Sequence, residues 1–287
     1  MSIPVVNFIP EARSAVAIAR QRGDSIALVP TMGALHEGHA SLIRRARDEC
    51  GYVVVWIFVN PTQFGPNEDF TRYPRTLTED VALCAREDAG LVFAPPVEEV
   101  YPSGFRTSVH VRDLGKYLCG PSRPGHFDGV ATVVLKMFTM VGPNRAYFGR
   151  KDAQQLRIVQ QLVRDLDLPV EIVPCDTVRE PDGLAMSSRN RYLDATQRAN
   201  APAMYRTLCE ARDRVVGGER DAGVLRALLA ERITAIPGAA IDYAEVVDAD
   251  SFHPVSRLDR SAVAALAVKF GATRLIDNID LTVSDAS

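Results

Sequence analysis

The sequence predicts an α/β fold: a parallel sheet flanked by helices, followed by a smaller α+β domain. Three observations carry this reading. Short apolar runs alternate with helical patterns through the first two thirds of the chain. One run, residues 52–59 (YVVVWIFV), is continuously apolar, as a strand covered on both faces should be. Beyond Asn190 the texture changes, with helical patterns first and strand-like runs after them.

Residues 26–30 read as a strand, and residues 39–50 place Leu42, Ile43 and Ala46 on one helical face. After the strand at 52–59 come a helix at 76–89 and a strand at 91–94. Residues 106–111 alternate weakly and read as an edge strand. Then follow a helix at 130–140, a strand at 145–148, a helix at 152–166 and a strand at 170–173. Strands alternating with helices imply parallel pairing through right-handed crossovers. The second domain reads as helices at 195–216 and 221–236, then strands at 241–247, 262–270 and 273–276. The boundary is set in the polar stretch 181–190, giving domains 1–185 and 186–287.

The chain has 287 residues, 47% hydrophobic and 24% charged, with a formal net charge of -3. Length and hydrophobic content suffice for sizeable cores. The charge argues against nucleic-acid or membrane partners, which reward clustered positive charge. Arg44, Arg45 and Arg47 fall on one helix and read as a solvated face. The five cysteines are far apart, without a C-x-x-C pair, and read as reduced thiols outside any zinc site. There is no signal-peptide pattern and no apolar run near the about twenty residues that span a bilayer. A cytoplasmic protein is expected.

Ligands of such sheets bind beyond the carboxyl ends of the strands. Three clusters fall there: PTMGALHEGH, NPTQFG and GRKD. The sharpest is His36-Glu37-Gly38-His39, which follows a strand and opens a helix. Helix starts expose unpaired N–H groups and a positive dipole end, so they attract phosphate. Gly33 and Gly38 let backbone approach a ligand closely. Two imidazoles at this spacing can donate to a nucleotide's phosphates and stabilise charge as pyrophosphate leaves; the plainer alternative is a pair of capping histidines. Lys151 either supplies a positive charge for phosphates or is a solvated surface lysine. Asp152 either orients a ribose hydroxyl or caps the next helix.

The H-x-G-H motif resembles the signature of the nucleotidylyltransferase and class I aminoacyl-tRNA synthetase superfamily, which implies a Rossmann-like sheet. That superfamily pairs it with a second loop of K-M-S-K-S type, which Met186-Ser187-Ser188-Arg189 resembles. The likeness is closer to the pantothenate synthetase family. PTMGALHEGH, IFVNPTQFGPNEDF, YPRT, RPGHFDGVATVV, YFGRKDAQQL and TVREPDGLAMSSRNRYL occur in that family's order. Residues 241–249 and the run TRLIDNI extend the resemblance to nearly the whole chain.

The resemblance implies that Met32, Gly33, His36 and His39 bind ATP, with His39 at the proton donor's position. It implies that Gly149, Lys151, Asp152, Val178 and Met186 through Arg189 complete the ATP site; Arg150, inside that loop, is counted with them as a second cation that either strengthens phosphate binding or points to solvent. His39, His36 and Lys151 are the catalytic candidates. The resemblance further implies that Gln63 and Gln155 hold pantoate, whose carboxylate a neutral amide can bind without blunting its nucleophilicity in a salt bridge, and that Asn60 borders the pocket; the plainer alternative for the two glutamines is a pair of surface side chains. Arg150 departs from the family, which often has Glu or Gln there. His126, in the loop RPGHFDG, has no assigned task. The substrates implied are ATP, pantoate and β-alanine, joined through an acyl-adenylate. Mg²⁺ is expected on ATP, held mostly by ATP oxygens and water, with no protein metal ligand. The resemblance also implies a homodimer and a C-terminal domain that acts as a lid. Two rival readings remain from the motif alone: a plain nucleotidylyltransferase, which Gln63 and Gln155 disfavour, and a non-catalytic nucleotide sensor, which the full set of polar residues disfavours.

Overall fold

A computed structural model describes residues 3–66 and 68–283. Along the chain come β1 (Val5–Val6), α1 (Ile9–Gln21), β2 (Ile26–Thr31), α2 (Glu37–Glu49), β3 (Tyr52–Ile57), α3 (Leu77–Arg86), β4 (Leu91–Phe93) and α4 (Val97–Val100). There follow α5 (Cys119–Ser122), α6 (His126–Val141), β5 (Arg145–Gly149), α7 (Ala153–Asp165) and β6 (Glu171–Cys175). The rest comprises α8 (Ala195–Asn200), α9 (Ala203–Val216), α10 (Ala222–Thr234), β7 (Ala239–Asp248), β8 (Ala262–Phe270) and β9 (Thr273–Leu281).

These elements form two compact units. The first runs to Val111 and adds Arg123–Arg150 and Gln155–Asp176. The second gathers Arg112–Ser122, Lys151–Gln154 and the chain from Thr177 onward.

In the first unit six strands lie in the order β1-β4-β3-β2-β5-β6, all paired in parallel. Successive strand residues point to opposite faces. Ile26 and Leu28 of β2, with Val54 and Trp56 of β3, enter a core closed by α1, α6 and α7. Ala27, Val29, Val53 and Val55 enter the opposite core, closed by α2 and α3. This double burial is why 52–57 reads as an unbroken apolar run. Trp56 packs edge-on against Phe93, ring centroids 4.8 Å apart. The chain proceeds from β2 outward to β3 and β4 on one side, then returns to place β5 on the other side of β2. The strand order therefore reverses between β2 and β5, the topological switch point at which such sheets bind ligands.

In the second unit β7, β8 and β9 form an antiparallel sheet. Leu266, Val268 and Phe270 of β8 bury against Met204 and Leu208 of α9 and Leu225 and Leu229 of α10.

Four sequence expectations change. Residues 106–111 pair with no strand among the described residues. Val109 and Val111 instead pack onto the first core, and the Val109 N–H donates to Thr132 Oγ1 at 2.9 Å. The expected helix 195–216 is two helices, because Pro202 lacks the N–H that would carry α8 into α9. α6 starts at His126, earlier than the expected 130, because Gly125 at φ 77° supplies the N-cap. β9 runs to Leu281, five residues beyond the expected 276, because its partner β8 is long enough to pair with all of it. β1 and α1 were not anticipated.

Candidate active site

At the carboxyl end of β2 the chain turns sharply into α2. Gly33 sits at φ 81°, and a Cβ there would lie 3.0 Å from Asp80 Oδ2. Only glycine combines that backbone with that proximity. Asp80, buried on α3, accepts the N–H groups of Ala34 at 3.0 Å and Leu35 at 2.7 Å. Burial raises its pKa, against the opposing pull of these two donors. A carboxylate from α3 thus fixes the turn that delivers His36 and His39.

The two histidines cap α2. The Gly38 N–H donates to His36 Nδ1 at 3.1 Å, and the His36 N–H donates to His39 Nδ1 at 3.3 Å. Because each Nδ1 accepts, the proton of each neutral ring resides on Nε2. The ring centroids are 4.2 Å apart. Capping engages Nδ1 of each ring, so the capping reading and the phosphate reading are compatible.

Beyond β3 a 3₁₀ turn, Pro61–Gln63, carries the next candidates. Asn60 is buried, and its Oδ1 accepts the Tyr101 hydroxyl at 2.9 Å and the Thr62 N–H at 3.3 Å. Its Nδ2 donates to Gln63 Oε1 at 3.1 Å and to the Gly129 carbonyl at 3.2 Å. Asn60 thereby orients the Gln63 amide, leaving Nε2 as the donor, 3.0 Å from Met32 Sδ. Gly129 of α6 lets the helix approach this turn: a Cβ would stand 2.4 Å from the Thr62 carbonyl oxygen.

β5 ends at Gly149, on the other side of β2. Arg150 turns toward Asp176 at 3.4 Å. Gln155 lies half-buried in the first turn of α7. Its neighbour Gln154 belongs to the second unit and is fully engaged there. It accepts the Cys119 N–H at 3.1 Å and donates to the carbonyls of Leu114 at 2.7 Å and Tyr117 at 2.8 Å.

In the second unit the Lys151 carbonyl accepts from Asn278 Nδ2 at 2.8 Å, and Lys151 Nζ is 3.9 Å from Asp152. Residues 178–186 fold back on themselves. Arg179 bridges Ala185, and the Met186 N–H donates to the Val178 carbonyl at 3.0 Å. Arg179 grips buried Asp277 through two bonds of 2.7 and 3.0 Å and stacks 3.6 Å over the Tyr205 ring. Ser187 caps the 3₁₀ turn Ser188–Tyr192, accepting the Arg189 N–H at 3.2 Å, and Ser188 is buried. Successive β9 residues, Asp277 and Asn278, thus anchor the loop before Met186 and the peptide of Lys151.

Within the first unit the structure brings Met32, Asn60 and Gln63 together, and pairs His36 with His39. Within the second it joins Val178 to Met186 and ties Lys151 to β9. The sequence reading does not single out Asp80, Asp277 or Asn278. A lone acid or amide carries no local signal; its partner lies elsewhere in the chain. A groove of about 1020 Å³ in the second unit, along Tyr205, Arg206, Cys209 and Glu210, includes none of the candidate residues in its lining.

The profile of the pantoate-beta-alanine ligase family matches residues 4–280. The pantothenate synthetase of Moorella thermoacetica is 54% identical over 281 residues, 98% of this chain and 99% of that protein. The crystal structure of pantothenate synthetase from Thermus thermophilus superposes with a TM-score of 0.93 at 44% identity, covering 98% of this chain and 100% of that one. A pantoate-beta-alanine ligase from Francisella tularensis, solved with beta-gamma ATP and beta-alanine, gives a TM-score of 0.76 at 34% identity, over 96% and 97% of the two chains.

Proposed function

The chain belongs to the pantoate-beta-alanine ligase family, and on that premise we propose how its residues carry the reaction. The enzyme condenses pantoate with β-alanine at the expense of ATP, through pantoyl-adenylate, releasing AMP and pyrophosphate. The observation that carries the site assignment is the capping pair at the start of α2. Each ring accepts a backbone N–H through Nδ1 and keeps its proton on Nε2.

In the first half-reaction a pantoate carboxylate oxygen attacks the α-phosphorus of ATP, and the bond to the β-phosphate oxygen breaks. His36 and His39 donate to the phosphate oxygens that gain charge, and His39 is the proton donor. Lys151 adds a positive charge, while Met32, Gly33, Gly149, Arg150, Asp152, Val178 and Met186 through Arg189 hold the nucleotide. Gln63 and Gln155 hold pantoate by neutral amide bonds, which leave its carboxylate nucleophilic, and Asn60 orients Gln63. In the second half-reaction the β-alanine amine forms the C–N bond, the acyl C–O bond breaks, AMP leaves, and the amine proton passes to solvent. No enzyme nucleophile is needed, so catalysis rests on positioning and charge stabilisation. Mg²⁺ enters as part of the Mg-ATP substrate, held by triphosphate oxygens and water because it dehydrates reluctantly. The working form is a cytoplasmic homodimer; no described helix is long and apolar enough to cross a membrane.

The test follows an oxygen atom. Pantoate labelled with ¹⁸O in its carboxylate is turned over with ATP and β-alanine, and the nucleotide product is weighed by mass spectrometry. AMP carrying one heavy oxygen is expected. ADP with labelled inorganic phosphate would mean attack at the γ-phosphate and would remove the two histidines from the assigned role.

A further inference from the structure

The side chain of Gln63 is oriented by Asn60, but a side chain is only as well placed as its main chain. The main-chain carbonyl of Gln63 is held by a separate group of residues from the start of α6. His126 Nδ1 lies 2.8 Å from the Gln63 carbonyl oxygen, and Arg123 Nη2 lies 3.3 Å from the same atom. Arg123 Nη1 lies 2.8 Å from His126 Nε2. Its Nε and Nη2 donate to the two carboxylate oxygens of Glu68 at 2.5 and 2.8 Å. Glu68 also accepts the Gly65 N–H at 3.2 Å, which folds the chain after Gln63 back onto the same group.

A guanidinium only donates, so His126 Nε2 accepts from Arg123. A carbonyl only accepts, so His126 Nδ1 carries the proton and donates to Gln63. The imidazole is therefore neutral, in the Nδ1–H form. Arg123 meets Glu68 as a two-pronged fork, which matches its charge and sets its plane. Burial would raise Glu68, yet the hydrogen bond and charge of Arg123, together with the Gly65 N–H and the neighbouring His126, outweigh it and hold the carboxyl below its usual range. With its charge matched inside the protein, Arg123 acts through geometry.

We propose that Arg123 and His126 are positioning residues for pantoate: the chain Glu68–Arg123–His126 clamps the Gln63 main chain, so that the amide fixed by Asn60 meets the substrate carboxylate at one place. The inference rests on Gln63 as a pantoate ligand. Adenylation is sensitive to small misplacements of the attacking group, which gives such a clamp a kinetic consequence.

The test is steady-state kinetics on the full-length enzyme with pantoate and ATP varied in turn and β-alanine saturating. His126→Phe removes the donor to Gln63 and the acceptor for Arg123. The pantoate KM should rise about tenfold, roughly the effect of losing one or two ordinary hydrogen bonds, while the ATP KM and the melting temperature stay near wild type. His126→Asn places an amide nitrogen where Nδ1 stood and should recover most of the pantoate KM. Should His126→Phe fold poorly, Arg123→Lys keeps a cation beside Glu68 but loses the fork, and should raise the pantoate KM in the same way. In a Gln63→Ala background, the His126→Phe effect on pantoate should vanish, since the clamp then holds nothing of use. An equal rise in both KM values, or a His126 effect that survives in Gln63→Ala, would reduce the cluster to a fold-stabilising role and overturn the proposal. If Gln63→Ala alone leaves the pantoate KM unchanged, the assignment of Gln63 falls, and the clamp falls with it.

Discussion

A neutral imidazole has one accepting and one donating nitrogen, and at the start of α2 the fold decides which is which. His36 and His39 each take a backbone N–H on Nδ1, so the helix end is capped and the tautomer set by the same bond. The sequence offers capping and phosphate binding as alternatives; the geometry shows the capping, through Nδ1, and the phosphate role is the one proposed for Nε2. His39→Ala should therefore leave the fold nearly intact, since a side-chain cap contributes about 1 kcal/mol. Adenylate formation should fall about a hundredfold or more, the usual cost of losing a transition-state donor. Pyrophosphate release from ATP and pantoate, with β-alanine withheld, measures that step directly. A folded His39→Ala enzyme with near-normal release would take His39 out of the chemistry.

At the scale of elements, the side of the site proposed for pantoate depends on how closely α6 approaches the turn Pro61–Gln63. Gly129 sets that distance: any side chain would overlap the Thr62 carbonyl, a main-chain atom with little room to retreat. Gly129→Ala should push the turn from the helix, break the Asn60 bond to the Gly129 carbonyl and misplace Gln63. Overpacking of this kind costs about 1–3 kcal/mol. The expected signature is a lower midpoint of denaturant unfolding together with a raised pantoate KM and a nearly unchanged ATP KM. Wild-type values of all of these would show that the turn accommodates the methyl group. Elements with a strong internal period were legible in the sequence, as β2, β3 and α2 illustrate. Residues 106–111 were not, because alternation reports which side chains are buried and says nothing of whether a neighbouring strand exists.

For the molecule as a whole, the burial pattern makes a chemical prediction about the thiols. Cys84 and Cys175 lie inside the first unit, where burial pushes their thiols up to about 12 and about 11. At pH 8 the thiolate, which is the reactive form, is then scarce at both positions. Cys50 and Cys119 are also buried, whereas Cys209 on α9 is partly exposed. Treatment of the native protein with a maleimide at pH 8, followed by peptide mass mapping, should mark Cys209 first. Cys84 and Cys175 should react only after denaturation. Rapid native labelling of either would contradict the packed core described for the sheet.

The sequence by itself determined the parallel sheet with helices on both faces, the smaller domain after it, and the histidine pair at a strand-to-helix turn. Those features are written in local patterns: the period of apolar residues, glycines at turns, and motifs within ten residues of chain. It also supplied Gln63 and Asn60 as names, through a family resemblance. Only the tertiary structure decided their mechanics. Asp80 reaches the β2–α2 turn across 45 residues of sequence, and His126 reaches the Gln63 carbonyl across 63. Asn278 reaches the Lys151 carbonyl across 127. Hydrogen bonds are short and directional, so partners this remote in sequence can be identified only once the sheet and its crossovers have brought them within about 3 Å.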